Sequence, residues 1–348
     1  MGTAGVDAGE ATARPPVVWP GLDGVTDRRF DLLVIGDVRL EVRAELHGMR
    51  FTDLTADRLA YADASAVVAG TAVNMARSAT GYFRHVGLFT RIGDDDHTES
   101  IRRELSRLGV RDLCRVDAGM PNGVAVMVRD DAPAGPGVRL LIAAQNAPSR
   151  RLSEADVRRA AAEIRAADVV FLDGYALLSP ISRAATYAAA RIANESGTLV
   201  AFDLVPHDID GRVPMCEVLP LLALTDVIVT EAATVARLLG APHAAAKQGV
   251  MGEPRGSGGR PPEETARHAE TRELLPLLDR SVGGRPLWLL RFGETNLENV
   301  LAYRRGQGGE GLLLEYASGY GEGIERAGFG DRLASCELYW WLSARSLG

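Results

Sequence analysis

The sequence predicts an α/β fold with a mainly parallel central sheet. Three observations carry that expectation: short apolar runs of strand length that end at an acidic residue, helix-period segments between them, and two glycine-led turns that each open into a helix. The runs are Asp31-Leu32-Leu33-Val34-Ile35-Gly36-Asp37, Ala167-Asp168-Val169-Val170-Phe171-Leu172-Asp173-Gly174-Tyr175 and Thr198-Leu199-Val200-Ala201-Phe202-Asp203. They lack polar alternation, so both faces must be buried, as in a sheet covered on both sides. Their acidic ends fall where open α/β sheets place ligands.

Taken in order, residues 1–29 hold Ala, Gly, Pro and charge without periodicity and read as a flexible N-terminal tail. Residues 30–348 read as the α/β domain. Arg39 to Leu46 alternates apolar and charged residues, the pattern of a half-exposed strand. Ala69-Gly70-Thr71-Ala72-Val73-Asn74 is a small-residue turn that opens a helix with an amide side chain on its first turn. A short strand at Val86 to Thr90 and the acidic loop Gly93-Asp94-Asp95-Asp96 complete that unit. Between Leu152 and Ala166, Ser153 precedes an apolar stripe at helical spacing, a capped packing helix. Residues 241–262 are Gly/Pro-rich and read as a flexible insertion.

With 348 residues, 46% hydrophobic and 24% charged, the chain has enough apolar content for a large globular core. A net charge of −7 speaks against nucleic acid or an anionic membrane as partner. Cys114, Cys216 and Cys336 have no C-x-x-C spacing and read as reduced core thiols. No basic leader precedes an apolar run, and the apolar stretch near Val218 to Val229 is interrupted by Pro220, Thr225 and Asp226. The expectation is a soluble, cytoplasmic protein.

The chemistry-bearing stretch is Ala327-Gly328-Phe329-Gly330-Asp331, leading into a helical segment from Arg332 to Leu338. Two glycines, a carboxylate and a helix start bring unpaired backbone N–H groups and a positive helix end toward one place, an arrangement suited to phosphoryl transfer. The same string is also an ordinary Asp-capped glycine turn. Together with the Gly70/Asn74 turn, its order and spacing resemble the ribokinase-like carbohydrate kinases, the PfkB family, whose two motifs read roughly G-G-x-x-x-N and D-T-x-G-A-G-D. The resemblance covers about residues 30–345.

That resemblance implies a ribokinase-like three-layer sandwich with a small β lid from about 38–66 and 120–145. It implies an ATP-dependent kinase, using Mg²⁺, that phosphorylates a hydroxyl of a sugar, nucleoside or related polyol. Asp331 maps to the general base, and Gly328, Phe329 and Gly330 to the anion-binding turn. Arg39, Glu41, Gly70 and Asn74 map to acceptor contacts, with Arg39 and Glu41 replacing the family's Asn and Asp. Arg291, Gly293 and Asn296 map to the nucleotide-phosphate turn. Glu231 maps to the metal region and would act through water; a carboxylate favoured by the dipole at a helix start is the competing reading. The lid implies a homodimer. Further departures are Glu325-Arg326 before the turn, Phe329 between the glycines, and a chain that ends at Gly348, soon after Asp331. They leave a second expectation, a ribokinase-fold binding or regulatory protein with weak or lost transfer. A dinucleotide dehydrogenase is disfavoured because no G-x-G-x-x-G follows the first strand, and a G-x-S-x-G hydrolase motif is absent.

Overall fold

A computed structural model describes residues 23–54, 59–130, 139–205, 209–240, 271–282, 286–292, 297–305, 312–319 and 329–346. The 241–262 insertion and most of the N-terminal tail lie outside the described residues. Among the described residues the central sheet has nine strands. Its parallel part comprises β1 (Asp31–Ile35), β4 (His85–Phe89), β6 (Arg111–Asp112), β10 (Val169–Asp173), β11 (Leu199–Asp203), β12 (Val227–Glu231) and β13 (Leu287–Phe292). Two antiparallel strands, β14 (Leu297–Arg304) and β15 (Leu312–Gly319), extend one edge, giving the order β15-β14-β13-β12-β11-β10-β1-β4-β6.

The uninterrupted apolar runs are explained by the two cores. Leu32, Val34, Val169, Phe171, Val227 and Leu289 point to one face, where α1 (Thr71–Ala79), α2 (Asp96–Arg107) and α9 (Phe329–Ser346) pack. Their neighbours Leu33, Ile35, Val170, Leu172, Ile228 and Leu290 point to the other face. That face is covered by α3 (Glu154–Arg159), α4 (Ala161–Ala166), α5 (Pro180–Ser196), α6 (Met215–Leu222), α7 (Ala232–Leu238) and α8 (Leu275–Val282). Period-two alternation thus serves two helix layers, and the result is a three-layer sandwich. The sequence-predicted helix from Leu152 breaks at Ala160 into α3 and α4, while Ser153 caps α3 by accepting from the Asp156 N–H.

A second sheet of four strands, in the order β3-β2-β8-β9, stands over the carboxyl end of β1. It comprises β2 (Arg39–Leu46), β3 (Asp63–Ala69), β8 (Val124–Asp130) and β9 (Arg139–Ala143). A separate parallel ladder is formed by β5 (Arg91–Ile92) and β7 (Arg115–Val116). At the N-terminal end of the described chain, the Val25 N–H donates to Gly81, and the Phe30 ring meets Tyr339 edge-on, so this part is docked on the domain. The cysteine expectation needs correction. Cys336 is buried, but Cys114 is only partly so and Cys216 is exposed, because it sits on the first turn of α6 rather than on its packed side. No described helix is long and apolar enough to cross a membrane.

Candidate active site

Strand order reverses at β1, whose neighbours are β10 on one side and β4 on the other. At such a switch point the connecting segments diverge and leave a crevice beyond the strand ends. Five charged residues sit along that edge: Asp37 just after β1, Asp173 at the end of β10, Asp203 at the end of β11, Glu231 at the end of β12, and Arg291 near the end of β13. Register places Asp173 beside Asp203 and Glu231 beside Arg291.

The β1/β10 half is tied together by short hydrogen bonds. Asp173 accepts the Asp37 N–H at 3.0 Å and the Tyr175 N–H at 2.8 Å. This close crossing needs Gly36, where a Cβ would run into the Asp173 side chain. The Asp37 carboxylate accepts from the Ser149 hydroxyl at 2.6 Å and pairs with the Arg39 guanidinium, which lies over the Tyr175 ring at 5.7 Å. Burial, helped by the neighbouring Asp37 charge, pushes the Asp173 carboxyl up to about 7. Arg39, Tyr175, Ser149 and Arg150 line a cavity of about 610 Å³ roofed by Leu141 and Ala143 of the small sheet. Glu41, two residues along β2, pairs with Arg43 at 2.7 Å rather than with Arg39. Residues 39, 41 and 43 share one face of the strand, so Glu41 has an arginine two positions away on either side, and with Arg39 taken by Asp37 it pairs with Arg43.

The other half is built on α1 and α9. Gly70, with φ of 104°, caps α1, and a Cβ there would collide with the Asp37 carbonyl, so this turn requires glycine. It sets α1 so that Asn74 reaches across to hydrogen-bond the Asp331 carboxylate. Burial, reinforced by Asp203, pushes the Asp331 carboxyl well above its ordinary range; Arg291 and the Asn74 hydrogen bond oppose that rise. Arg291 is 7% exposed, approaches Asp203 at 3.8 Å, and lies so close to Gly330 that a Cβ there would meet its Nη1.

The helix start differs from the sequence reading. α9 begins at Phe329, not Arg332, so Gly330 and Asp331 belong to its first turn. Asp331 does not serve as the terminal cap because its carboxylate is engaged by Asn74. The first-turn amides, which have no partner within a helix, contribute to its positive end.

Of the residues expected from sequence, the structure brings together Asp331, Asn74, Gly330 and Arg291, with Gly70 as the pivot of α1. Arg39 sits on the cavity with Asp37, and Glu41 is its neighbour on the same strand face. Glu231 caps α7 without a side-chain cap bond. Gly328, Gly293 and Asn296 lie outside the described residues. Asp37, Asp173 and Asp203 were visible as acidic strand ends but carried no assigned role. Ser149 and Tyr175 gave no sequence signal, since each reaches the site from a 3-10 turn by contacts across more than 100 positions or through a single backbone turn.

Among the described residues no group of three or more His, Cys, Asp or Glu is placed to hold a metal ion. Mg²⁺ tolerates such sites because it keeps several waters and binds through phosphate oxygens. The donor set here fits only that mode.

The sequence profile of the pfkB family carbohydrate kinases matches residues 31–253. The chain belongs to that family. Its fold is also that of an adenosine kinase from Sinorhizobium meliloti (TM-score 0.66, 18% identity, covering 90% of this chain and 88% of that one). A fructokinase from Xylella fastidiosa aligns with a TM-score of 0.63 at 16% identity, covering 89% and 81%. A protein described as a ribokinase II from E. coli, in complex with ATP and Mg²⁺, aligns with a TM-score of 0.62 at 19% identity, covering 92% and 87%. No curated protein matches by sequence.

Proposed function

We propose that the protein transfers the terminal phosphoryl group of ATP to a hydroxyl of a sugar, nucleoside or related small polyol, with Asp331 as general base. The observation that carries this reading is the convergence of the Asp331 carboxylate, the Asn74 amide and the Arg291 guanidinium at the first turn of α9. Asp331 takes the proton of the acceptor hydroxyl as that oxygen attacks phosphorus. A carboxyl raised by burial is a stronger base than an ordinary aspartate, and Arg291 keeps it from rising further. Asn74 fixes the direction of the carboxylate.

Acceptor hydroxyls are held by Asn74, by the backbone at Gly70, and by Arg39 and Glu41 of the small sheet. Phe329 and Gly330 present first-turn N–H groups to the charge that develops on the transferring group, and Gly328 extends that turn; preorganised donors of this kind are worth roughly 3 kcal/mol each. Arg291 adds a fixed cation, with Gly293 and Asn296 on the nucleotide side. Bound Mg·ATP supplies the phosphoryl group and the metal charge that offsets its oxygens. Glu231 would hold the metal through one of its waters.

The small sheet carries a row of exposed apolar side chains, Val42, Val126 and Ile142, paired across three strands. That surface supports a homodimer through the lid. The decisive experiment supplies the purified chain with Mg·ATP and a panel of sugars, nucleosides and polyols, following ADP release. Acceptor-dependent ADP release is expected for at least one hydroxylic acceptor. Acceptor binding by calorimetry without any ADP release would support the binding-protein reading instead.

A further inference from the structure

We propose that a second cavity, on the far side of Asn74, is a binding site for a small metabolite carrying two or more phosphate or carboxylate groups. It lies between α1, α2, the β3 edge of the small sheet and the beginning of α9, and has a volume of about 890 Å³, the size of a metabolite pocket.

Helical spacing builds it. On α2, Ser100, Arg103, Glu104 and Arg107 recur at three- and four-residue intervals and form one face. On α1, Asn74, Arg77 and Ser78 do the same. The two faces look at each other across the groove. Arg43 reaches in from β2 and Arg332 from α9. Five arginines therefore line the cavity against two carboxylates, Asp23 and Glu104. This is a positive concavity in a chain of net charge −7, where a basic cluster is not explained by overall composition.

Internal pairing accounts for only part of that charge: Arg43 is paired with Glu41 at 2.7 Å from outside the cavity lining. Glu104 accepts from Arg107 at 2.7 and 2.8 Å and from Arg77 at 3.3 Å, so one carboxylate is spread over two guanidiniums. Asp23 stands 3.7 Å from Arg332. Arg103 is exposed and forms no ion pair with the described residues. Planar guanidiniums with adjacent hydroxyls, here those of Ser78 and Ser100, form the donor set that suits oxyanions.

The cavity shares a wall with the strand-end site. Arg77 donates to the Asn74 carbonyl oxygen at 2.8 Å, and the Asn74 amide in turn holds Asp331. An anion that draws Arg77 toward itself changes the partner that fixes Asn74, so occupancy is coupled to acceptor binding. This coupling, unlike the site itself, rests on the role proposed for Asp331.

The test is calorimetry on the full chain with inorganic pyrophosphate and, in parallel, citrate. At least one should bind, and Arg103→Glu and Arg107→Glu should each weaken it at least tenfold with an unchanged melting temperature, while Arg291→Ala leaves it in place. Pyrophosphate alone marks a phosphate site and citrate alone a carboxylate site. No binding of either at millimolar concentration, or binding lost in Arg291→Ala and kept in Arg103→Glu, overturns the proposal. If acceptor turnover is found, the bound anion should shift the acceptor KM in the wild type but not in Arg103→Glu. Absence of turnover would defeat the kinase reading and leave the calorimetric result to decide this one.

Discussion

At the β1/β10 end of the carboxyl edge, Asp37 sits in contact with the Arg39 guanidinium, the Ser149 hydroxyl and, through its N–H, with Asp173. At the β13/α9 end, Asp331 meets Asn74 directly, while Arg291 stands across the gap toward Asp203 and Gly330. The first half closes its charges on one another and is built to hold shape. The second leaves a raised carboxyl beside a cation and first-turn amides, a place where incoming negative charge is stabilised and a proton can be taken. Like charges packed along one edge are tolerated in both halves by a raised affinity for protons, at Asp173 in one and at Asp331 in the other, and only the first adds a direct ion pair, at Asp37.

The sharpest way to break this comparison is Asp331→Asn. It preserves shape and much of the contact with Asn74 but removes the proton acceptor, so acceptor-dependent ADP release should fall by about 10²- to 10⁴-fold. In the wild type, activity should rise with pH along an acid limb that lies above the usual carboxylate range, because the group must lose its proton to act and burial opposes that loss. Steady-state rates across pH check both. Full activity in the Asn variant would remove the chemical distinction between the two halves.

A second test addresses the shape-holding half through stability. The Asp173 carboxyl is held at about 7 instead of 3.8. Below pH 3.8 it is protonated whether the chain is folded or not. Between 3.8 and about 7 the unfolded chain gives up this proton while the folded one keeps it, so folding stability falls as pH rises; above about 7 the contribution is constant. The loss amounts to about 4 kcal/mol across that window. Asp173→Asn removes the titration at the expense of a hydrogen bond. Denaturant unfolding at pH 4 and pH 7.5 should therefore show the variant gaining on the wild type by a few kcal/mol at the higher pH. A pH-independent difference would show that the strand ends do not store protons.

Much of this was legible from the chain. Uninterrupted apolar runs announced a sheet buried on both sides, and the acidic residues at their ends marked the edge along which the candidate site is built. Glycine at position 70 and the amide four residues later were readable because a tight backbone approach and a first-turn side chain leave a local trace. The partners of those residues were not readable. Arg39 and Glu41 were read together as acceptor contacts, yet the fold delivers Arg39 to Asp37 and Tyr175. Ser149 reaches Asp37 from a 3-10 turn 112 positions away, a contact that only the tertiary fold creates. The start of α9 was misjudged because an aspartate before a helical run looks like a cap, and only Asn74 shows that its carboxylate is spoken for.

The smallest predicted effect tests how closely the second half is fitted. In Gly330→Ala the new methyl would press on Nη1 of Arg291, the far end of a long side chain, so the guanidinium should move while the backbone stays. Alanine also suits a helix better than glycine by up to about 1 kcal/mol, which predicts an unchanged or slightly raised melting temperature. A displaced Arg291 supports the transferring charge less well and no longer restrains the Asp331 carboxyl, so kcat should fall about tenfold, near 1.4 kcal/mol, and the acid limb should move to higher pH. The two readouts separate the causes: loss of rate with stability retained locates the effect in the guanidinium's position. An unaltered rate and pH limb would mean that the closeness of Arg291 to α9 is packing alone, and that this half differs from the first only in its charges.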